Sequence, residues 1–162
     1  MKIFYVALFL SLLTIVTSSD HNSDPDETIS ESASESSENE NDVAYYYYLW
    51  IGDDVHTKYK IRLTSPPGSH FIDAMYQAAE KNQHYAFDFI QYDFGKYITT
   101  IAGVANNDET SQYWLIYNLP WSPKKNNPPG INDLSPVGVD DIVVNLGYHY
   151  LFWYRTVNVE DH

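Results

Sequence analysis

Cysteine is absent from all 162 residues. No disulfide can staple this chain, and thiol nucleophiles and cysteine-based metal sites are excluded. Asn-x-Ser/Thr sequons are absent too, so N-glycosylation is not expected. Cations are scarce: nine Lys and Arg stand against 22 Asp and Glu, a formal charge of −13. That balance argues against a nucleic-acid partner, whose affinity comes largely from Lys and Arg on phosphates. Long apolar runs are missing beyond the first residues, which leaves no later segment able to span a membrane. The stretch from Asp20 to Asp42 has neither a cation nor an aromatic residue, yet holds nine of the 22 acidic side chains.

What is present begins with a leader. Lys2 precedes an apolar run from Ile3 to Val16, interrupted by Ser11 and Thr14, and the small polar residues Thr17, Ser18 and Ser19 follow. The run is shorter than the roughly 20 residues of a membrane span, and the order of features is that of a cleavable signal peptide over residues 1–19. A secreted, extracellular product without membrane attachment after cleavage is expected. Residues 20–42, rich in Ser, Glu and Asp, cannot bury enough apolar surface to offset the entropy of ordering, and read as a disordered acidic tail. It would act as a solvating spacer or, through its Ser residues next to Glu, as a phosphorylated or cation-attracting segment. Residues 43–162 are long enough for one core without staples.

In that part, aromatic residues are dense and alternate with a period of two. Strands are predicted at Ala44–Ile51, Lys58–Leu63, Tyr85–Tyr92, Tyr97–Ile101, Gln112–Tyr117 and Tyr148–Val157. Pro66, Pro67 and Gly68 stop the second strand. Phe71, Met75 and Ala78 then recur at helical spacing, with Ser69 in the N-cap position and Glu80 to Asn82 at the close. A long Pro- and Asn-rich loop occupies 118–136, and a tight element runs from Val139 to Gly147. The fold class is α+β: a hairpin, one main helix packed across it and later strands completing a single mixed, β-grasp-like sheet. Tyr45 to Tyr48 send two tyrosines to each face of the first strand. The last strand sends Tyr148, Tyr150, Phe152 and Tyr154 one way and Leu151 and Trp153 the other, so both faces of the sheet need cover.

Four blocks carry a resemblance: "HFIDAMYQAAEKN", "FDFIQYDFGKYITTIAGV", "QYWLIYN" and "VGVDDIVVNLGYHYLFWYR". In this order they resemble the C-terminal β-domain of the transcobalamin, intrinsic factor and haptocorrin family. The matching positions include Asp73, Met75, Glu80, Phe94, Gly95, Tyr97, Thr99, Gly103, Tyr113, Trp114, Gly138, Asp141 and Gly147. The resemblance implies a binding module for a small molecule of corrinoid type, with cobalamin as the implied ligand and no catalytic cofactor. In those carriers a larger helical domain supplies the other face of the ligand; here the acidic stretch stands ahead of the β-domain. The aromatic before the strand glycine, commonly Trp in the carriers, is Phe94.

Catalysis has little support. There is no Gly-x-Ser-x-Gly elbow, no paired metal-binding His spacing, and the pairs Asp53–Asp54 and Asp140–Asp141 follow turn-forming residues that favour turn or capping duty. A non-catalytic module is expected. The aromatics are either core and edge residues or a stacking surface for a flat ligand or an extracellular protein. The residues singled out as a ligand-binding rim are Phe94, Tyr97, Tyr117 and Trp121, with Trp114 assigned to the core. The alternative to a small ligand is an extracellular protein-interaction module that has kept the fold and lost the ligand.

Overall fold

The computed structural model describes residues 40–157. The leader expected at 1–19, and the acidic tail expected at 20–42 except its last three residues, lie outside the described residues. Two strands form the centre: β1 (Val43–Ile51) and β7 (His149–Thr156). They pair in parallel, with Tyr47 opposite Tyr150 and Trp50 opposite Trp153. β2 (Thr57–Ser65) pairs antiparallel to β1, and β6 (Gln112–Leu119) antiparallel to β7, giving a mixed sheet in the order β2-β1-β7-β6.

Every inward position of the central pair is apolar because both faces are covered. On one face, Tyr45, Tyr47 and Leu49 of β1 and Tyr150, Phe152 and Tyr154 of β7 form the larger core. The helix α1 (Phe71–Lys81) lays Phe71, Ile72, Ala74, Met75 and Ala78 on it, as the 3–4 spacing of those residues predicts. The Phe71 ring lies 4.7 Å from Tyr150 and, edge-on, 5.1 Å from Tyr47. Removing such an anchor, as in Met75→Ala, costs about 2–5 kcal/mol through lost burial and the cavity left behind. On the other face Tyr48, Trp50, Leu151, Trp153, Tyr117 and Leu119 form a second core, with Trp50 and Trp153 T-shaped at 5.4 Å. Part of the long loop covers this face: Ser122 bonds the Tyr48 hydroxyl, and Leu134 bridges to Tyr117.

Two expectations need correction. The later strands do not complete one sheet: β3 (Phe87–Tyr92), β4 (Gly95–Ile101) and the short β5 (Val104–Ala105) form a separate sheet in the order β3-β4-β5. A turn at Ala102–Gly103, both at positive φ, folds β5 onto the edge of β4 that β6 would need. The Asn106 side chain then takes the Trp114 amide at 2.9 Å, and Val104 takes the Trp114 indole N–H at 2.8 Å. Ser69 is not the N-cap; its hydroxyl donates to the Pro66 carbonyl, and His70 holds the cap position without a side-chain bond. The first helical amides instead donate to the backbone of the 139–144 segment, Phe71 to Ile142 at 2.8 Å and Ile72 to Val139 at 3.2 Å. That segment is irregular and buries Val139, Ile142 and Val144. Among the described residues no helix is long and apolar enough to cross a membrane.

Tyrosines dominate this interior, and their hydroxyls fare differently. Tyr45 bonds the buried Ser65 hydroxyl at 2.7 Å, while burial pushes its phenol pKa up to about 12. The Tyr47 hydroxyl is fully buried and has no hydrogen-bond partner among the described residues. Tyr45→Phe is expected to cost about 1–2 kcal/mol by orphaning Ser65, whereas Tyr47→Phe is neutral or stabilises by up to about 1 kcal/mol. Urea melts of the two variants check the contrast; equal losses would contradict it.

Candidate functional site

Five of the eleven exposed large hydrophobic side chains among the described residues lie on the hairpin of β3 and β4. β3 is the outer strand of its sheet, and all its residues after Phe87 are exposed. Ile90 pairs with Tyr97 and Tyr92 with Gly95, which places Ile90, Tyr92 and Tyr97 on the solvent face. At the turn Phe94 is 74% exposed and stacks on Tyr92, ring centres 5.0 Å apart and planes 13° from parallel. Tyr97 lies 6.3 Å from Tyr92, and its hydroxyl accepts a bond from the Asn106 amide. Burial, with the Asp108 charge adding, raises the Tyr97 pKa. On the opposite face Phe89 lies under the Lys96 ammonium at 5.6 Å, and Phe87 meets Tyr76 of α1 at 5.0 Å. Ile98 on that face enters the main core.

The turn end of this hairpin is pinned by one carboxylate. Asp140 accepts the Lys96 backbone N–H at 2.6 Å and the Lys96 ammonium at 3.0 Å. Burial alone would raise its pKa, but the two bonds and the charge of Lys96, with a smaller pull from His70, lower it on balance. Gly95 sits at φ +116, and a Cβ there would come within 2.8 Å of the Asp140 oxygen, so this position has to be glycine. The other aspartate pair is structural as well: Asp53 accepts both the backbone N–H and the hydroxyl of Thr156 at the end of β7.

Of the four residues read as one rim, the structure brings together Phe94 and Tyr97, with Tyr92, Ile90 and Phe89 beside them. Tyr117 is not a rim residue. β6 alternates, so Tyr117 faces away from Trp114 into the second core, where it is fully buried, 6.3 Å from the Trp153 ring. Burial raises its pKa, with Arg155 pulling the other way. Trp121 is half exposed at the start of the long loop, next to the Ser122 that bonds Tyr48 on the far face of the main sheet, and so belongs to a different surface. Trp114 is buried in the main core, as expected. Tyr92 was legible as an alternating aromatic one turn from Phe94; Asp140 was not, because nothing local separates it from Asp141. Beside the hairpin lies a cleft of about 140 Å³, between Tyr97, Ile98, Trp114 and Val139. Ligand-enclosing sites run to about 300–1,000 Å³. The hairpin is therefore an open surface.

No protein-family model matches the chain. It is 37% identical over 124 residues to the uncharacterized Drosophila melanogaster protein CG3556, across 76% of this chain and 21% of that protein. Among solved structures it is similar to haptocorrin in complex with Cbi, at a TM-score of 0.58 and 21% identity, covering 72% of this chain and 26% of that one. A candidate metal-binding protein from Ruminococcus gnavus overlaps more loosely, at a TM-score of 0.48 and 14% identity over 72% and 99% of the two chains. The chain thus spans about a fifth of the fly protein and a quarter of the haptocorrin chain. The described domain has the fold of the haptocorrin C-terminal region, as the four sequence blocks implied.

The pin gives a testable consequence. Asp140→Ala is expected to cost about 1–3 kcal/mol, the range for bonds to a charged group, and to free the hairpin before the main sheet. Hydrogen exchange at Lys96 and Tyr97 reads this directly. Because its pKa is lowered in the folded state, the Asp140 contribution is present above the unfolded value of about 3.9 and is lost as pH falls below it. The variant's stability is therefore flatter than the parent's on that acid limb.

Proposed function

We propose that this domain is a secreted, non-catalytic binding module that covers one face of a flat, corrinoid-type small molecule with the β3–β4 hairpin. The observation that carries the reading is the hairpin surface: Ile90, Tyr92, Phe94 and Tyr97 stand exposed together beside a turn fixed by Asp140. Apolar patches of this kind mark contact sites, and the parallel Tyr92–Phe94 pair offers a flat aromatic face for stacking. The likeness of fold to haptocorrin, solved with Cbi, makes a corrinoid the first candidate. The open geometry means that a second body supplies the other face. The hairpin–helix–strand order, with the last strand parallel to the first, supports describing the main sheet as β-grasp-like. The apolar run at Ile3–Val16 supports export.

One observation favours a second reading, an extracellular protein partner. β3 leaves one edge unpaired in a hairpin that is apolar outside, which suits addition of a partner strand. Titration of the purified protein with cobalamin, followed by calorimetry and visible absorbance, separates the two. The small-molecule reading expects saturable binding that weakens about tenfold or more in Phe94→Ala, a residue too exposed to matter for folding. No heat and no spectral change at high micromolar cobalamin would exclude it and leave the protein reading.

A further inference from the structure

The scarce cations are not spread evenly. Four of the seven lysines, Lys58, Lys60, Lys124 and Lys125, line one groove of about 460 Å³ on the far face of the main sheet. The floor is formed by the exposed edges of Tyr48 and Trp50 of β1, which are otherwise buried in the second core. Pairing puts Lys60 opposite Tyr48 and Lys58 opposite Trp50, so both ammonium groups rise on the same side as those rings. The far wall is Pro123, Lys124 and Lys125. It is held by a turn in which the Asn127 amide donates to the Lys124 carbonyl at 3.1 Å, and by the 3.2 Å bond from Ser122 to Tyr48. The Tyr48 hydroxyl also meets His149 Nδ1 at 3.0 Å, which fixes the floor from behind.

Asp53 and Asp54 share a separate cleft with Lys125, without an ion pair to it among the described residues. The Lys60 ammonium lies 4.1 Å over the Tyr46 ring and 5.3 Å over Tyr48, and none of the four lysines has an ion-pair partner among the described residues. Four like charges around a cleft with apolar walls focus a positive potential, in a chain whose net charge is −13. The volume falls in the range of small-ligand sites, which run to about 300–1,000 Å³. Lysine ammoniums on flexible stems suit anionic oxygens as point charges, while the aromatic edges beneath leave the floor apolar.

We propose that this groove binds a small organic anion, its body lying against the apolar floor and wall of the groove, with two or more carboxylate or phosphate groups held by Lys58, Lys60, Lys124 and Lys125. The site lies on the opposite face of the main sheet from the aromatic hairpin and does not depend on what the hairpin binds. Calorimetry and tryptophan fluorescence of the full protein test it with four probes. 2,6-Naphthalenedicarboxylate and adenosine diphosphate present the two anion types on a flat body; pyrophosphate presents charge alone, and hexaglutamate an acidic peptide. The expected result is saturable binding of at least one flat anion, at least tenfold tighter than pyrophosphate and weakened by added salt. Lys58→Gln/Lys124→Gln, both at exposed positions, is expected to weaken it at least tenfold with an unchanged melting temperature, and Phe94→Ala to leave it unaltered. Preference between the two flat probes reports carboxylate against phosphate. Absence of saturable binding by both, equal affinity in the double variant, or tighter binding of hexaglutamate would each overturn the proposal, the last in favour of an acidic protein segment.

Discussion

The parallel pairing of β1 with β7 is the constraint from which the rest of the architecture follows. A parallel pair needs a crossover and is found with both faces covered, because its backbone and side chains are buried on two sides. Here the crossover is almost the entire domain, from Ile51 to His149, and it supplies both covers. α1 closes one face with Phe71 and Met75, and the long loop with Leu134 closes part of the other. Neither cover alone would suffice. An unprotected second face would leave Trp50, Leu151 and Trp153 in water.

A chain without cysteine that builds its interior from tyrosine has to place hydroxyls as well as rings. These bonds carry the order of the core outward. The Tyr150 hydroxyl accepts the Asn145 amide at 2.9 Å and so holds the start of the turn before β7. The neighbouring residues Val139, Ile142 and Val144 meet the start of α1, through Ile72, Phe71 and Ser69 respectively. Asp140, inside the same segment, reaches Lys96 and sets the hairpin. One irregular stretch thereby joins the core, the helix cap and the exposed aromatic surface. The stretch from Val139 to Gly147 therefore bears on the candidate site although it holds no strand.

Much of this was legible in the sequence, and the failures share a cause. Alternation in β1 and β7 exposes the need for cover on both faces, and helical spacing places α1. The same alternation puts Trp114 and Tyr117 of β6 on opposite faces, and cover on both faces buries Tyr117 as well as Trp114. What buries Tyr117 is the loop after it, whose path no local pattern encodes. The split into two sheets turns on Ala102 adopting positive φ and on Asn106 intercepting an amide, choices fixed by tertiary contacts. Lys58 and Lys60 read as the water-facing side of a strand. Only the fold brings Lys124 and Lys125 to them.

The fold shared with haptocorrin speaks to architecture, not to which surface is used, and this domain carries two surfaces of opposite chemistry. The hairpin, apolar and open, packs through Ile98 and Phe87 on the helix side of the main sheet. The basic groove takes its floor from the other face of the same β1 whose Tyr45 and Tyr47 support the helix. Alternation along one strand thus separates them, Tyr47 inward to the helix and Tyr48 outward to the groove. A ligand on either surface touches residues that the other surface does not use. Because the central strands are held by ladder bonds on both sides and packed on both faces, little freedom is left in them to carry a shift across. Coupling would have to travel around the sheet, through the 139–147 segment or the long loop. The physics of the central pair therefore leaves the two surfaces independent of one another.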